Sequence, residues 1–245
     1  MITPRDYQLR GIEEMRKAIR EGDRRILYCL PTGGGKTVVA AEVIRSAATK
    51  GKRIYFVAHR KELIDQSSSK LDDLGVPHGV IMADHPRRHP ELPVQVVSIQ
   101  TAIRRSMPWK PDIVFIDEAH RAAAAGYQQI LKACDNPVLI GITATPIRGD
   151  NKGLGGSLFQ RIIIGPSVKE LIEQGYLVKP EVYSWPIDLK SVKISRGDYD
   201  QHELNDKMSE SKLVGDVLRE WQRRCADRTT VVFASGVGHS QILVQ

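Results

Sequence analysis

Short apolar runs recur along the first part of the chain: Arg25–Leu30, Arg53–Ala58, Val94–Ser98, Asp112–Ile116 and Pro137–Ile142. Each has the length of a strand, and Arg53–Ala58 is apolar at consecutive rather than alternate positions, the pattern of a strand buried on both faces. Between the runs, apolar residues fall at helical spacing. Leu9, Ile12, Met15 and Ile19 line one face of a helix over about Leu9–Arg20, after a good start at Thr3, Pro4 and Asp6. Val38, Val39, Ala41, Val43 and Ile44 mark a second helix, and Leu63, Ile64, Leu71 and Leu74 a third, broken at Gly75-Val76-Pro77-His78. Strands alternating with helices predict a parallel sheet covered on both faces. In such sheets ligands gather at the carboxyl ends of the strands, and each run here is followed by a polar cluster.

After Arg148 the pattern changes. Gly149–Gly156 is polar and glycine-rich, Ser167–Gln174 reads as a short helix stopped by Gly175, Val178–Ile187 as extended chain, and Asp188–Gln201 as irregular. A helix over Lys212–Ala226 sets Leu213, Val217, Trp221 and Cys225 at steps of four, with Val214 and Leu218 beside them, a stripe suited to packing on a sheet. Thr229–Ala234 reads as one more buried strand and Val237–Val244 as the start of a helix. A strand and part of a helix cannot bury a core alone, so the pattern suggests a chain that stops just inside a second domain. The expected division is a first domain over 1–165, a linker and entry segment over 166–228, and the opening of a second domain over 229–245.

Composition narrows the function classes. No run approaches the length of a membrane span, and MITPRDYQLR lacks an apolar signal core. The three cysteines, Cys29, Cys134 and Cys225, are widely scattered, which argues against a disulfide framework or zinc cluster and fits a reducing cytoplasm. His85, Arg87, Arg88 and His89, set between prolines, lack a carboxylate or cysteine at ligand spacing and read as an exposed basic loop. The net charge of +7 suits a polyanionic partner.

The chemistry concentrates in two places. Pro31-Thr32-Gly33-Gly34-Gly35-Lys36-Thr37 lies between an apolar strand and an amphipathic helix, the context of a phosphate-binding loop. Glycines let backbone N–H groups turn onto phosphates, and the helix N-terminus adds partial positive charge. Lys36 would reach the β- and γ-phosphates, and the Thr37 hydroxyl would ligate magnesium. Leu30 stands where the strict loop pattern has its first glycine. Asp117-Glu118-Ala119-His120 supplies the partner such a loop requires: Asp117 to hold the same magnesium, and Glu118 to orient or deprotonate the water that attacks the γ-phosphate. Gln8, polar at the head of an apolar-faced helix, has the paired donor and acceptor to read an adenine edge.

The ordered set PRDYQ, PTGGGKT, VAHRKELIDQ, VVSIQT, DEAH and TATP resembles the first motor domain of superfamily 2 helicases. Within them it is similar to the DEAD/DEAH-box branch that includes type III restriction subunits and excision-repair translocases, and GPSVKELIEQGYLVKPEVY resembles the join to the second motor domain in bacterial and phage members. The resemblance implies an α/β fold: a RecA-like phosphate-loop domain with a parallel sheet flanked by helices, followed by an incomplete second RecA-like domain. It implies ATP and Mg2+ as cofactors and DNA, ahead of RNA, as the polymer moved. Arg5 and Gln8 would serve the nucleotide together with Thr32, Gly33, Gly34, Gly35, Lys36 and Thr37. His59, Arg60, Gln100 and Thr101 would contact the nucleic-acid backbone, and His120, Thr143 and Thr145 would couple hydrolysis to domain movement. The family's arginine finger lies in the second domain, where this sequence shows no counterpart, and is worth about 10³–10⁵ in rate. The chain alone is therefore expected to bind nucleotide, hydrolyse it slowly and not unwind, unless a second subunit supplies the missing half. The rival readings are a non-catalytic remnant that binds nucleotide and DNA, an RNA helicase, and an unrelated phosphate-loop kinase.

Overall fold

In a computed structural model of the chain, residues 3–59, 61–105, 107–122, 125–145, 158–184, 188–195 and 198–244 are described. The chain divides into two compact units, 1–179 and 180–245.

The first unit is built on a parallel sheet. Its strands are β1 (Arg25–Cys29), β2 (Ile54–Ala58), β3 (Gly79–Ile81), β4 (Val94–Ser98), β5 (Ile113–Asp117), β6 (Val138–Thr143) and β7 (Arg161–Ile164), in the spatial order β3-β4-β2-β5-β6-β1-β7. The apolar runs occupy the interior: β2, β4 and β6 are buried at every position. The short strands β3 and β7 form the edges, which leaves little unpaired backbone for another chain to join. The sequence pattern did not single out either edge strand. β3 has too few residues to show a period, and β7 gains its place from β1 and from Arg161, which pairs with Asp23 and, at 3.0 Å, with Glu21.

Strand side chains alternate between two cores. Ile26, Tyr28, Phe56, Phe115 and Ile140 face α1 (Asp6–Arg20), α2 (Lys36–Ala48) and α3 (Lys61–Asp73), which contribute Ile12, Met15, Val39, Ile44 and Ile64. Leu27, Tyr55, Val57, Val114 and Leu139 face the other way, toward α4 (Ile99–Arg104) and α5 (Ala125–Ala133). The expected α/β architecture, helices on both faces of a parallel sheet, is what forms. Helix α1 begins at Asp6 rather than Leu9, because Arg5 takes the cap position and the Gln8 side chain bonds back to its backbone. Helix α6 (Val168–Glu173) starts in a capping box of Ser167 and Glu170 and ends before Gly175, whose φ is +74°. The loop expected to be an exposed basic segment is instead partly anchored. Arg87 bonds both carboxylate oxygens of Asp72, at 2.7 and 2.8 Å, and His85 lies 3.5 Å from Asp65 on α3.

The second unit contains a two-residue ribbon of β8 (Ile194–Ser195) and β9 (Asp198–Tyr199), followed by α7 (Gln201–Met208), α8 (Ser211–Cys225) and α9 (Val237–Val244). The strand expected over Thr229–Ala234 does not form. Val231 and Phe233 are 74% and 93% exposed, and among the described residues no segment pairs with theirs. A strand is a relation between two backbones, and an apolar run with no neighbour cannot satisfy its N–H and C=O groups as one. Arg60, Pro146 and the Gly149–Gly156 stretch lie outside the described residues. No described helix is long and apolar enough to cross a membrane.

Candidate functional site

Because the strands are parallel, the turns that follow β1, β5 and β6 emerge at one edge of the sheet. The register is tight there: Cys29 pairs with Thr143, and Asp117 with Ile142.

The turn after β1 needs its glycines for two reasons. Gly33 and Gly35 have φ of +81°, a region that strains a side chain. Gly34 is buried, and a Cβ there would stand 2.7 Å from Leu30 Cγ and 3.0 Å from the Pro31 carbonyl. The result is a cradle walled by backbone, with Thr32 exposed on its approach. Gly35 caps α2, and Lys36 is the first helical residue. The first N–H groups of a helix have no intrahelical acceptor, and they carry the positive end of its dipole.

Lys36, Thr37 and Asp117 line one cavity of about 10 Å³, floored by Phe56, Phe115 and Ile142. That is room for a single water or ion. Burial raises the Asp117 carboxyl above its usual range. The Glu118 charge adds to this, while the Glu118 amide, bonded to Oδ1 at 2.9 Å, and Lys36 pull the other way. Glu118 has φ +51° and ψ +53°, a left-handed conformation that costs a non-glycine residue about 1–3 kcal/mol. Its carboxylate lies beside His120, whose Nδ1 is 3.3 Å from Oε2. The same nitrogen is 3.4 Å from the Thr143 hydroxyl, which donates to the Thr145 carbonyl and accepts the Thr145 N–H. The acidic turn and the Thr143–Thr145 turn are thus joined by a continuous polar chain.

Gln8 also converges on the cradle, but as a brace. It is buried, its Nε2 donates to the Gly34 carbonyl at 2.9 Å, and its Oε1 accepts the Arg5 N–H at 2.8 Å. Both ends of the amide expected to read adenine are engaged within the protein. Tyr7 donates to the same Gly34 carbonyl. Of the residues expected at the nucleic acid, His59 and Gln100 adjoin, with Gln100 Nε2 donating to the His59 carbonyl at 3.4 Å, and Gln100 is exposed. Thr101 turns inward: it is buried, and its hydroxyl accepts the Ala83 N–H. Arg60 lies outside the described residues.

Two residues at the cradle escaped the sequence reading. Tyr176 packs on Tyr7 with ring centroids 5.1 Å apart, under the guanidinium of Arg5. Leu177 lies against Gly33, where a Cβ would stand 2.8 Å from its Cδ2. Gly175-Tyr176-Leu177 reads as a helix stop, and the aromatic directly after that stop was the available signal.

Comparison with known proteins identifies the family. Residues 1–148 match the family model described as type III restriction enzyme, res subunit. The chain is 32% identical over 213 residues to a 51.5 kDa protein of a Lactococcus phage, covering 86% of this chain and 44% of that protein. It is 28% identical to a putative ATP-dependent helicase, IRC3, of Saccharomyces cerevisiae, covering 98% of this chain and 38% of that one. Among solved structures, the Hef helicase domain of Pyrococcus furiosus superposes with a TM-score of 0.57 at 20% identity, covering 98% of this chain and 52% of that one. The last likeness is one of fold. The chain spans about two-fifths of the length of these two relatives.

Proposed function

The chain belongs to the family of type III restriction enzyme res subunits, and from that premise we propose that it carries the nucleotide-binding motor unit of an ATP-dependent DNA helicase or translocase. The observation that carries this reading is the shared cavity of Lys36, Thr37 and Asp117 beside a glycine cradle. The donor set fits magnesium and a triphosphate. Backbone N–H groups and one ammonium are offered to phosphate oxygens, and a hydroxyl and a carboxylate, both hard oxygen ligands, to the cation. Bound there, magnesium would neutralise charge on the phosphates.

The chain's own residues divide the remaining work. Gly33, Gly34, Gly35 and Thr32 shape the phosphate cradle, Lys36 contacts the terminal phosphates, and Thr37 and Asp117 hold the metal. Glu118, held beside His120, positions the attacking water and accepts its proton. The His120–Thr143–Thr145 chain links that carboxylate to the neighbouring strand end. Gln8 and Tyr7 hold the cradle in register with α1. His59 and Gln100, with Arg60, contact the phosphates of a nucleic-acid strand, which fixes position without reading sequence. Thr101 acts from beneath, holding the Ala83 loop. DNA as the polymer is supported by the resemblance to the restriction and repair branch; the net charge of +7 suits a polyanion of either kind.

Calorimetric titration of ATP with Mg2+ tests the reading, with Lys36→Ala as the blank. Turnover is then compared without nucleic acid and with single-stranded DNA, duplex DNA and RNA. Magnesium-dependent ATP binding that Lys36→Ala weakens, with turnover stimulated most by DNA, is the expected result. ATP binding indifferent to Lys36 would overturn it.

A further inference from the structure

We propose that Tyr176 is the stacking face for the nucleobase, with Arg5 as the opposite jaw of the clamp. The inference rests on the nucleotide site proposed above and adds to it the residue that recognises the base.

The placement follows from the sheet. Strand β7 runs parallel to β1, so the chain leaves it at the same edge as the glycine turn. Helix α6 then returns Tyr176 and Leu177 to that turn. Leu177 touches the cradle at Gly33, and Tyr176 packs on Tyr7, whose hydroxyl bonds the Gly34 carbonyl. Tyr176 is therefore joined to the phosphate cradle through two contacts and stands beside it rather than behind it. It is only half-buried.

Above it, the Arg5 guanidinium carbon lies 4.6 Å from the ring centroid. Arg5 is exposed, and among the described residues its guanidinium hydrogen-bonds only the Tyr7 hydroxyl, weakly at 3.4 Å, and makes no ion pair. A planar cation over an aromatic face is a favourable contact in its own right. It also has the form of a closed clamp: two flat surfaces, one on a rigid turn and one on a long solvated stem. A purine between them needs about 3.5–4.0 Å on each side, so Arg5 must swing outward and then settle on the far face of the base. The Gln8 amide already spends one donor on the Gly34 carbonyl and its oxygen on the Arg5 N–H, so a flat face beside the cradle adds a hold on the base that the amide alone does not give. Stacking of a base on an aromatic side chain contributes about 1–3 kcal/mol.

The test separates the base from the phosphates. Calorimetric affinities for ATP and for inorganic tripolyphosphate, both with Mg2+, are measured for the wild type, Tyr176→Ala, Tyr176→Leu and Tyr176→Phe. Tyr176→Leu keeps apolar bulk against Tyr7 without a flat face, and serves if the alanine variant is unstable. Stacking predicts that Ala or Leu weakens ATP about ten- to hundredfold, leaves tripolyphosphate unchanged, and that Phe matches the wild type. Equal weakening of both ligands would overturn the proposal, because Tyr176 would then only shape the cradle. Unchanged ATP affinity would overturn it too. A wild type that binds tripolyphosphate no better than Lys36→Ala does would overturn the nucleotide site itself, and this proposal with it.

Discussion

The Nδ1 of His120 lies 3.3 Å from Glu118 Oε2 and 3.4 Å from Thr143 Oγ1. The Thr143 hydroxyl spends its proton on the Thr145 carbonyl, so it presents a lone pair to the imidazole, as the carboxylate does. Both neighbours therefore call for a proton on Nδ1. Thr143 is fully buried, and replacing its hydroxyl by a methyl removes its bonds to the Thr145 N–H and carbonyl and its contact with His120. Thr143→Val is expected to cost about 1–3 kcal/mol of stability, while Thr143→Ser, which keeps the hydroxyl, costs well under half of that. Denaturant unfolding measures the difference. The ¹⁵N signals of His120 should show Nδ1 protonated in the wild type, with the preference weakened in the valine variant. A wild-type imidazole carrying its proton on Nε2 would break this account of the polar chain.

Gly141 on β6 explains how the acidic turn is held from below. A Cβ at Gly141 would stand 2.7 Å from the Cβ of Ala119 and 2.6 Å from Phe159 Cζ. Ala119 directly follows Glu118, so any movement of it is passed to the strained residue. Gly141→Ala is expected to destabilise by about 1–3 kcal/mol through overpacking and to weaken magnesium-dependent ATP binding. Phe159→Leu in the same chain removes the ring atoms nearest the new methyl and should recover part of the stability. Unfolding and titration of the single and double variants decide it, and a double variant no better than the single would put the clash on Ala119 alone.

The interior of the sheet was legible because burial on both faces writes itself as consecutive apolar residues, and the cradle because its glycines sit between such a strand and a helix. What escaped has a common cause. Sequence shows what a residue is, not what stands opposite it. Val231 to Phe233 has strand composition without a strand beside it, while Arg161 to Ile164 becomes a strand because β1 offers an edge. Gln100 and Thr101 are adjacent and polar, yet the start of α4 turns one out and the other in, and no helix was anticipated there. Gln8 was legible as a site residue, but its bond to Gly34 crosses 26 positions of chain.

A buried histidine away from the cradle offers a pH test. His78 is buried, with Nε2 2.7 Å from the Ser68 hydroxyl and 2.9 Å from Arg87 Nη1, and Nδ1 2.8 Å from the Val76 carbonyl. Burial lowers its pKa, Arg87 and His85 acting in the same direction and the Val76 carbonyl and Asp72 opposing. A histidine with a depressed folded value prefers to be neutral in the fold. Its contribution is intact above the unfolded value of about 6.5 and is lost as pH falls through that value toward the folded one. His78→Gln is expected to flatten the pH dependence of stability over that window, by way of an amide that needs no proton. Denaturation midpoints across mildly acid pH check it, and an unchanged slope would assign the dependence to other groups.

Asp117 should behave in the opposite sense to an ordinary ion-paired carboxylate. Its pKa is raised, chiefly by burial, so the folded state prefers the protonated form and the ionised carboxylate costs stability. Below the unfolded value, about 3.9, both states are protonated and the cost vanishes. It grows as pH rises through the raised folded value and is complete above it. Asp117→Asn is therefore expected to melt higher than the wild type near neutral pH, the gain shrinking to nothing below about pH 4. Ligand reverses the order. Magnesium and ATP should stabilise the wild type by about 2.7 kcal/mol at a hundredfold excess over Kd and the asparagine variant by less, since a neutral amide oxygen holds a hard dication more weakly than a carboxylate does. Melting curves across pH, with and without magnesium and ATP, read both effects. If Asp117→Asn melts lower in the absence of ligand, then Lys36 and the Glu118 amide outweigh burial, and the carboxylate is a structural ion rather than a charge held ready for a metal.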